Sequence, residues 1–192
     1  MQTYSNRTFT EIVKEHTNII NCEFIDCIFE NCKFLDCIFI GCTFSGCKFI
    51  DSSITNMQTK ETHMLFNIFS ECTLVGIQWT NLQSGSISFP IQKLNKCYLK
   101  YNNFENMNFK KFDFIQSSIL ESVFENCNLA ESNFKNCELK NTEFSGCDLR
   151  KSDFRKATGY NINLATNRIK GARFSYPEVI NLLNPFEIVI EK

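Results

Sequence analysis

Large apolar residues recur along this chain every five positions. Between Asn21 and Asp51 the sequence runs CEFID-CIFEN-CKFLD-CIFIG-CTFSG-CKFID, with Phe at 24, 29, 34, 39, 44 and 49 and a Cys two residues before each. Sixteen of the twenty phenylalanines fall on this step between Phe24 and Phe174, Phe9 falls on it too, and only Phe66, Phe112 and Phe186 leave it. A fixed short period is the mark of a stacked repeat architecture. An α-helix cannot use it, because five residues advance each Phe by about 140° and scatter the rings round the helix. In extended backbone, residues two apart share a side, so Cys and Phe face inward together and the last two residues turn the chain. Short extended pieces joined by corners wind into a coil whose turns pair as parallel strands: an all-β solenoid.

The pattern divides the chain. Residues 1–16 lack the small inward residue and carry Phe9, Ile12 and Val13, which predicts an N-terminal cap over a solenoid spanning 17–175. Two stretches weaken the repeat. Thr59 takes a central position, and between Ile77 and Gln92 the small positions hold Ile77, Leu82, Ile87 and Gln92. Distorted continuous coils and a segment looped out near Gln83–Lys96 both fit, since an insertion of five or ten residues leaves the phase unchanged. At 176–192 the pattern changes. Ser175-Tyr176-Pro177-Glu178 reads as a helix start and Asn184-Pro185 as its stop, followed by a strand with Phe186, Ile188 and Ile190 on one side. This apolar module either caps the rod or makes a twofold contact through Val179, Leu182, Leu183, Phe186, Ile188 and Ile190.

Composition changes little in this picture. A net charge of −1 over 192 residues marks neither a basic nucleic-acid binder nor a strongly acidic chain, so no direct nucleic-acid binding is expected and any electrostatic role must lie in charge distribution. No signal-peptide core or spanning-length apolar run is legible, which predicts a cytoplasmic protein with no membrane contact. All eleven cysteines sit on the inward small step, where Cys behaves as a small hydrophobe; in-register side chains disfavour disulfides, and the uniform spacing is unlike that of metal sites. Neither cofactor nor metal is expected. With His16 and His63 the only histidines and no nucleophile-elbow, P-loop or HExxH motif, the chain reads as a non-enzyme.

The run Asn21–Asp51, with Cys127-Asn128-Leu129-Ala130-Glu131 and Ser152-Asp153-Phe154-Arg155-Lys156, resembles the pentapeptide-repeat family over roughly Thr17 to Tyr176. The resemblance implies a right-handed quadrilateral β-helix of about eight coils with four repeats per coil. The C-terminus, and Asn6-Arg7-Thr8-Phe9-Thr10 at the start, resemble the quinolone-resistance (Qnr-type) members, which implies a homodimer through the C-terminal module. With four repeats per coil, every twentieth residue should share a face. The face through Phe24, Phe44 and Phe104 then carries Glu23, Asp26, Glu105, Glu125 and Glu143 and no cation, while the opposite face carries Lys33, Lys93, Lys96, Lys135, Arg155, Lys156 and Arg173 against Asp36, Asp113 and Asp153. The resemblance implies that such an acidic face imitates DNA towards DNA gyrase or topoisomerase IV and protects it from quinolones. The family's protecting members also use loops projecting from the coils, and no clean loop is legible in this sequence. The alternative function is a structural scaffold for an unidentified protein partner.

Overall fold

The computed structural model describes residues 1–82 and 89–186. The chain winds as a parallel β-solenoid of about eight coils. In the first half each side is a short strand whose partner lies twenty residues on: Tyr4 beside Phe24, Phe29 beside Phe49, Phe34 beside Ile54, Phe39 beside Thr59. This register fixes four repeats per coil. Faces one to four are named in chain order from the repeats centred on Phe24, Phe29, Phe34 and Phe39.

Corners fall on the fifth residue of the repeat, which adopts the left-handed conformation, as at Asn21 (φ 53°), Asp26 (φ 50°) and Asn31 (φ 52°). Asn and Asp tolerate this region best among residues with a side chain. Among the described residues they hold eleven of the twenty-four non-glycine positions of positive φ. At Gly46 (φ 63°) an added Cβ would stand 2.3 Å from Asp26 Oδ1, so corners also stack tightly from coil to coil.

Inside, equivalent rings stack along the axis. Phe24 and Phe44 lie 4.8 Å apart, Phe29 and Phe49 4.8 Å, Phe114 and Phe134 4.5 Å, Phe134 and Phe154 4.7 Å, each pair within 15° of parallel. Ring pairs on adjacent faces meet edge to face, as Phe24 does with Phe29, and rings on opposite faces do the same across the interior, as Phe134 does with Phe144. Both geometries suit the aromatic quadrupole.

The small inward position does more than fill space. The Cys47 thiol donates to the Phe24 carbonyl at 3.4 Å, and Ser52 Oγ donates to the Phe29 carbonyl at 3.1 Å while accepting the Cys32 N–H at 2.9 Å. Inward backbone groups are thereby satisfied without water. Burial pushes the Cys47 and Cys137 thiols up to about 12, which suppresses the reactive thiolate. Ten cysteines are buried, but Cys22 is only half-buried because the coil beneath it is the first. Native labelling with a thiol reagent should therefore modify Cys22 first and the other ten only on unfolding; fast native reaction of several thiols would contradict the inward ladder.

Two expectations about the ends are corrected. Residues 1–16 are not a separate cap: Gln2–Ser5, Thr8–Thr10 and Val13–Glu15 are strands of the first coil, paired in register with the second. Tyr4 and Phe9 hold central positions and stack on Phe24 and Phe29, so the coil closes although Gln2, Arg7 and Ile12 replace the small residue. At the other end a 3-10 helix spans Glu178–Phe186 and runs through Asn184-Pro185, because a proline loses only one backbone donor and its fixed φ suits helical backbone. Phe186 is thus helical rather than the first residue of a strand, and Ile188 and Ile190 lie outside the described residues.

The weak stretch resolves as an insertion. Phe69 pairs with Leu94, Leu74 with Leu99, and Gln78 bridges Asn103, each twenty-five residues on. Five extra residues therefore lie between Trp79 and Ile91. Ile91–Asn95 is a strand, so of the two alternatives a looped-out segment near Gln83–Lys96 does not reach that far. Trp79–Leu82 forms a single 3-10 turn, and residues 83–88 are outside the described part.

Beyond Lys100 the four sides differ. Faces three and four merge into one sheet, because the strand Glu138–Ser145 runs through the Asn141 corner. On faces one and two the strands shrink to isolated bridges such as Asn128↔Asp148 and Asn133↔Asp153. Here Asn or Asp precedes the central residue, and its side chain accepts the N–H two residues on, as Asn108 does from Lys110 (3.1 Å) and Asp113 from Ile115 (3.0 Å). These side-chain turns tighten the corner and compete with the strand.

Candidate functional site

With an apolar core running end to end, the outward side chains form a fixed lattice in which neighbours on one face are spaced by the coil rise of about 4.8 Å. The five-residue insertion rotates that lattice by one face. Below it, Glu23 and Asp26 lie on face one; above it, Glu105, Glu125 and Glu143 lie on face four. The single acidic face of Glu23, Asp26, Glu105, Glu125 and Glu143 expected from a strict twenty-residue count is thus divided in two. Glu105 pairs directly with Glu125, and Val123 with Glu143, so these three carboxylates occupy consecutive coils. Asn106 Nδ2 donates to Glu105 Oε1 at 3.1 Å, and Thr80 Oγ1 donates to the Glu105 carbonyl at 3.1 Å. From Asn103 to Thr166 the outward positions of face four hold no Lys or Arg. Beside Glu143, a shallow depression of about 240 Å³ is lined by Ser145, Asn161, Asn163 and Thr166. Glu23, on the other group, accepts from Thr3 Oγ1 at 3.0 Å.

The basic face divides in the same way. Lys33 stays on face three, where it pairs with Glu15 at 3.3 Å, whereas Lys93, Lys96, Lys135, Arg155, Lys156 and Arg173 stand on face two. Asp153 accepts from Arg155, and this guanidinium holds its carboxyl below the usual range; Arg150 does the same to Asp148. The twenty-residue count also assigned Lys110, Lys111, Arg150, Lys151, Arg168 and Lys170 to neither charged face, and the structure carries them on face one. Only the coil register could have revealed this, because an insertion of whole repeats is silent in the five-residue phase.

The C-terminal residues divide by exposure. Leu182 is buried against the last coil and Val179 packs beside it, whereas Leu183 and Phe186 are exposed. The helix therefore covers the rod's end with one side and presents apolar groups on the other. Among the described residues, no helix is long and apolar enough to cross a membrane.

Family models match the repeats on either side of the insertion. A model of the pentapeptide repeat region matches residues 93–174, and a model of eight pentapeptide repeats matches residues 16–56; the stretch between them contains the insertion. Among solved structures the chain is similar to QnrB1, a plasmid-mediated fluoroquinolone resistance protein, with 15% identity over 97% of this chain and 100% of that one and a TM-score of 0.43. It is also similar to the pentapeptide repeat protein Rfr23 of the cyanobacterium Cyanothece, with 12% identity over 72% of this chain and 88% of that one and a TM-score of 0.37. A third is HetL of Nostoc, a pentapeptide repeat protein involved in heterocyst differentiation regulation, with 11% identity over 88% and 86% and a TM-score of 0.29. No curated protein matches the chain.

Proposed function

Because this chain belongs to the pentapeptide-repeat family, we propose that it acts as a rigid, non-enzymatic rod that presents surface side chains to a protein partner. The observation that supports this is the continuous ring stack, in which Phe104, Phe124 and Phe144 lie 4.6 and 5.0 Å apart. Such a core holds outward groups at fixed spacing, which suits recognition of a pre-organised partner. A fold of this kind does not name its function, so the partner is argued from surface chemistry.

The finer reading is imitation of DNA towards a type II topoisomerase, gyrase or topoisomerase IV, through Glu105, Glu125 and Glu143. Their alignment on three coils, along a stretch of face four that carries no Lys or Arg, favours it. Duplex DNA carries a charge every ~1.7 Å, about six over the same length, so this face supplies about half the charge density of the nucleic acid it would replace. The three fields add within about one Debye length, and a basic channel would feel them together. Leu183 and Phe186 would supply the apolar contact of a homodimer, which doubles the acidic surface.

A supercoiling assay with purified gyrase, with and without a quinolone, tests this. The intact protein should alter supercoiling at low salt, and Glu105→Lys with Glu125→Lys and Glu143→Lys should abolish the effect while thermal melting stays within a few degrees. Glu23→Lys, on face one, should leave it unchanged. No effect of the intact protein at low salt would remove the topoisomerase and leave a scaffold with another partner.

A further inference from the structure

Charge in the second half of the rod is segregated by face more strongly than the near-neutral total suggests. Between Lys93 and Arg173, twelve of the fourteen lysines and arginines stand on the adjoining faces one and two, whereas five of the nine acids stand on faces three and four. Three of the four acids that remain among the cations are engaged by them, and the fourth, Asp113, accepts the Ile115 N–H at 3.0 Å. Asp148 pairs with Arg150 and Arg168, Asp153 with Arg155 and Lys135, and Glu131 with Lys111. Among the described residues, Lys93, Lys110, Lys151, Lys156, Lys170 and Arg173 have no ion-pair partner, and all six are exposed.

The shape of this surface is as specific as its charge. Faces one and two meet along a straight convex corner carrying Lys111 and Lys151, both in left-handed backbone that projects their side chains outward (φ 62° and 60°). Unpartnered cations flank the corner on either side, Lys110 and Lys170 on face one and Lys93 and Arg173 on face two. A depression of about 320 Å³ between Lys135, Asn136, Arg155 and Lys156, wide enough for an oxyanion, lies on the second flank. A rigid ridge with cations on both flanks fits a groove about 12 Å wide edged by two rows of anions, as in the major groove of a nucleic-acid duplex. None of the exposed large apolar side chains lies on the two flanks between Lys93 and Arg173, so the surface offers neither a stacking platform for single-stranded bases nor a wedge for a lipid bilayer.

We propose that faces one and two of the C-terminal coils bind the sugar-phosphate backbone of double-stranded nucleic acid, without reading base sequence. The surface is separate from the acidic face: Glu105, Glu125 and Glu143 lie on face four, opposite face two and round the corner from face one, so the rod is polarised across its width and could join a duplex to a second, basic partner.

The test is fluorescence anisotropy of a labelled mixed-sequence DNA duplex titrated with the full chain at several salt concentrations. If the six unpaired cations engage phosphates, log K should fall with log salt with a slope of about −5, and sequence should matter little. Lys110→Glu with Lys151→Glu and Lys170→Glu should weaken binding at least tenfold and reduce the slope by about three. Replacing the same residues by Gln supplies a second variant should charge reversal impair folding, with thermal melting as the check. Glu125→Gln should leave binding unchanged. Absence of duplex binding at low salt, or an affinity and slope unmoved by both triple variants, would overturn the proposal. So would tighter binding to polyglutamate or to phosphatidylserine vesicles than to duplex at the same ionic strength, which would assign the surface to an acidic protein or a membrane instead.

Discussion

Phe124→Ala should destabilise the rod by about 3–5 kcal/mol, the range for emptying a fully buried aromatic site. Phe124 is wholly buried and touches rings in every direction: Phe104 at 4.6 Å below, Phe144 at 5.0 Å above, and Phe114 and Phe134 edge-on across the interior at 5.7 and 6.0 Å. Those neighbours are pinned by strand pairing at Phe104↔Phe124 and Phe124↔Phe144, so they cannot collapse into the space. In a quasi-one-dimensional stack the loss falls on the interfaces of a single coil with its two neighbours. Thermal unfolding followed by circular dichroism should therefore show a midpoint lower by about 10 °C and a broadened transition, as the halves on either side of the defect begin to melt separately. Lys140→Ala, an exposed change on a nearby repeat, should shift it by less than about 0.5 kcal/mol. Equal effects of the two would contradict the inward assignment of the central residue.

The same step of five made the fold legible. Inward and outward positions follow from period two within each strand, and the corner from the Asn, Asp and Gly that recur every fifth place, so Phe34 and Phe49 could be placed in the core from sequence. The number of repeats per coil could not, because it depends on how the coil closes, and the parallel pairing of Phe29 with Phe49 supplies it. For the same reason the acidic face was misassembled. Five inserted residues leave every later Phe on its step while moving Glu105, Glu125 and Glu143 a quarter turn away from the face of Glu23 and Asp26. The tight turns of faces one and two left a signal that was there to be found: Asn108, Asp113, Asn128, Asn133, Asp148 and Asp153 all stand just before a central residue. The first coil was missed because Gln2, Arg7 and Ile12 break the small-residue rule, although Tyr4 and Phe9 keep the larger beat.

Asn102→Leu should cost about 3 kcal/mol or more, because it strikes the joint where the insertion enters the stack. At most other coils the small inward position holds Cys, Ser or Thr, which donates to one carbonyl of the coil below, whereas Asn67, Asn102 and Asn167 place an amide there. Asn102 has a longer reach. Its Nδ2 donates to the Leu74 carbonyl at 2.8 Å and to the Lys100 carbonyl at 3.1 Å, while its Oδ1 accepts the indole N–H of Trp79 at 3.0 Å. All of this is buried. Trp79 in turn opens the 3-10 turn that replaces a strand at that corner, and its ring lies 6.0 Å from Phe104, the widest of the axial stacks on that face. One amide thus bridges the two coils where ordinary strand pairing is interrupted. Leucine matches its volume but removes three hydrogen bonds at roughly 1 kcal/mol each and strands the indole N–H in a dry interior, where an unpaired donor costs about 1–3 kcal/mol, although the Lys100 carbonyl keeps the Gly76 N–H at 2.9 Å. Ser122→Ala, which removes only the hydroxyl that accepts the Asn102 N–H at 3.1 Å, should cost about 1 kcal/mol. Trp79 is the sole tryptophan, so its emission reports on this joint alone. In denaturant, Asn102→Leu should move the fluorescence transition to lower concentration than the circular dichroism transition, because the joint opens before the outer coils. Coincident transitions at the unmodified midpoint would show that the strands, and not this amide, carry the stack across the insertion.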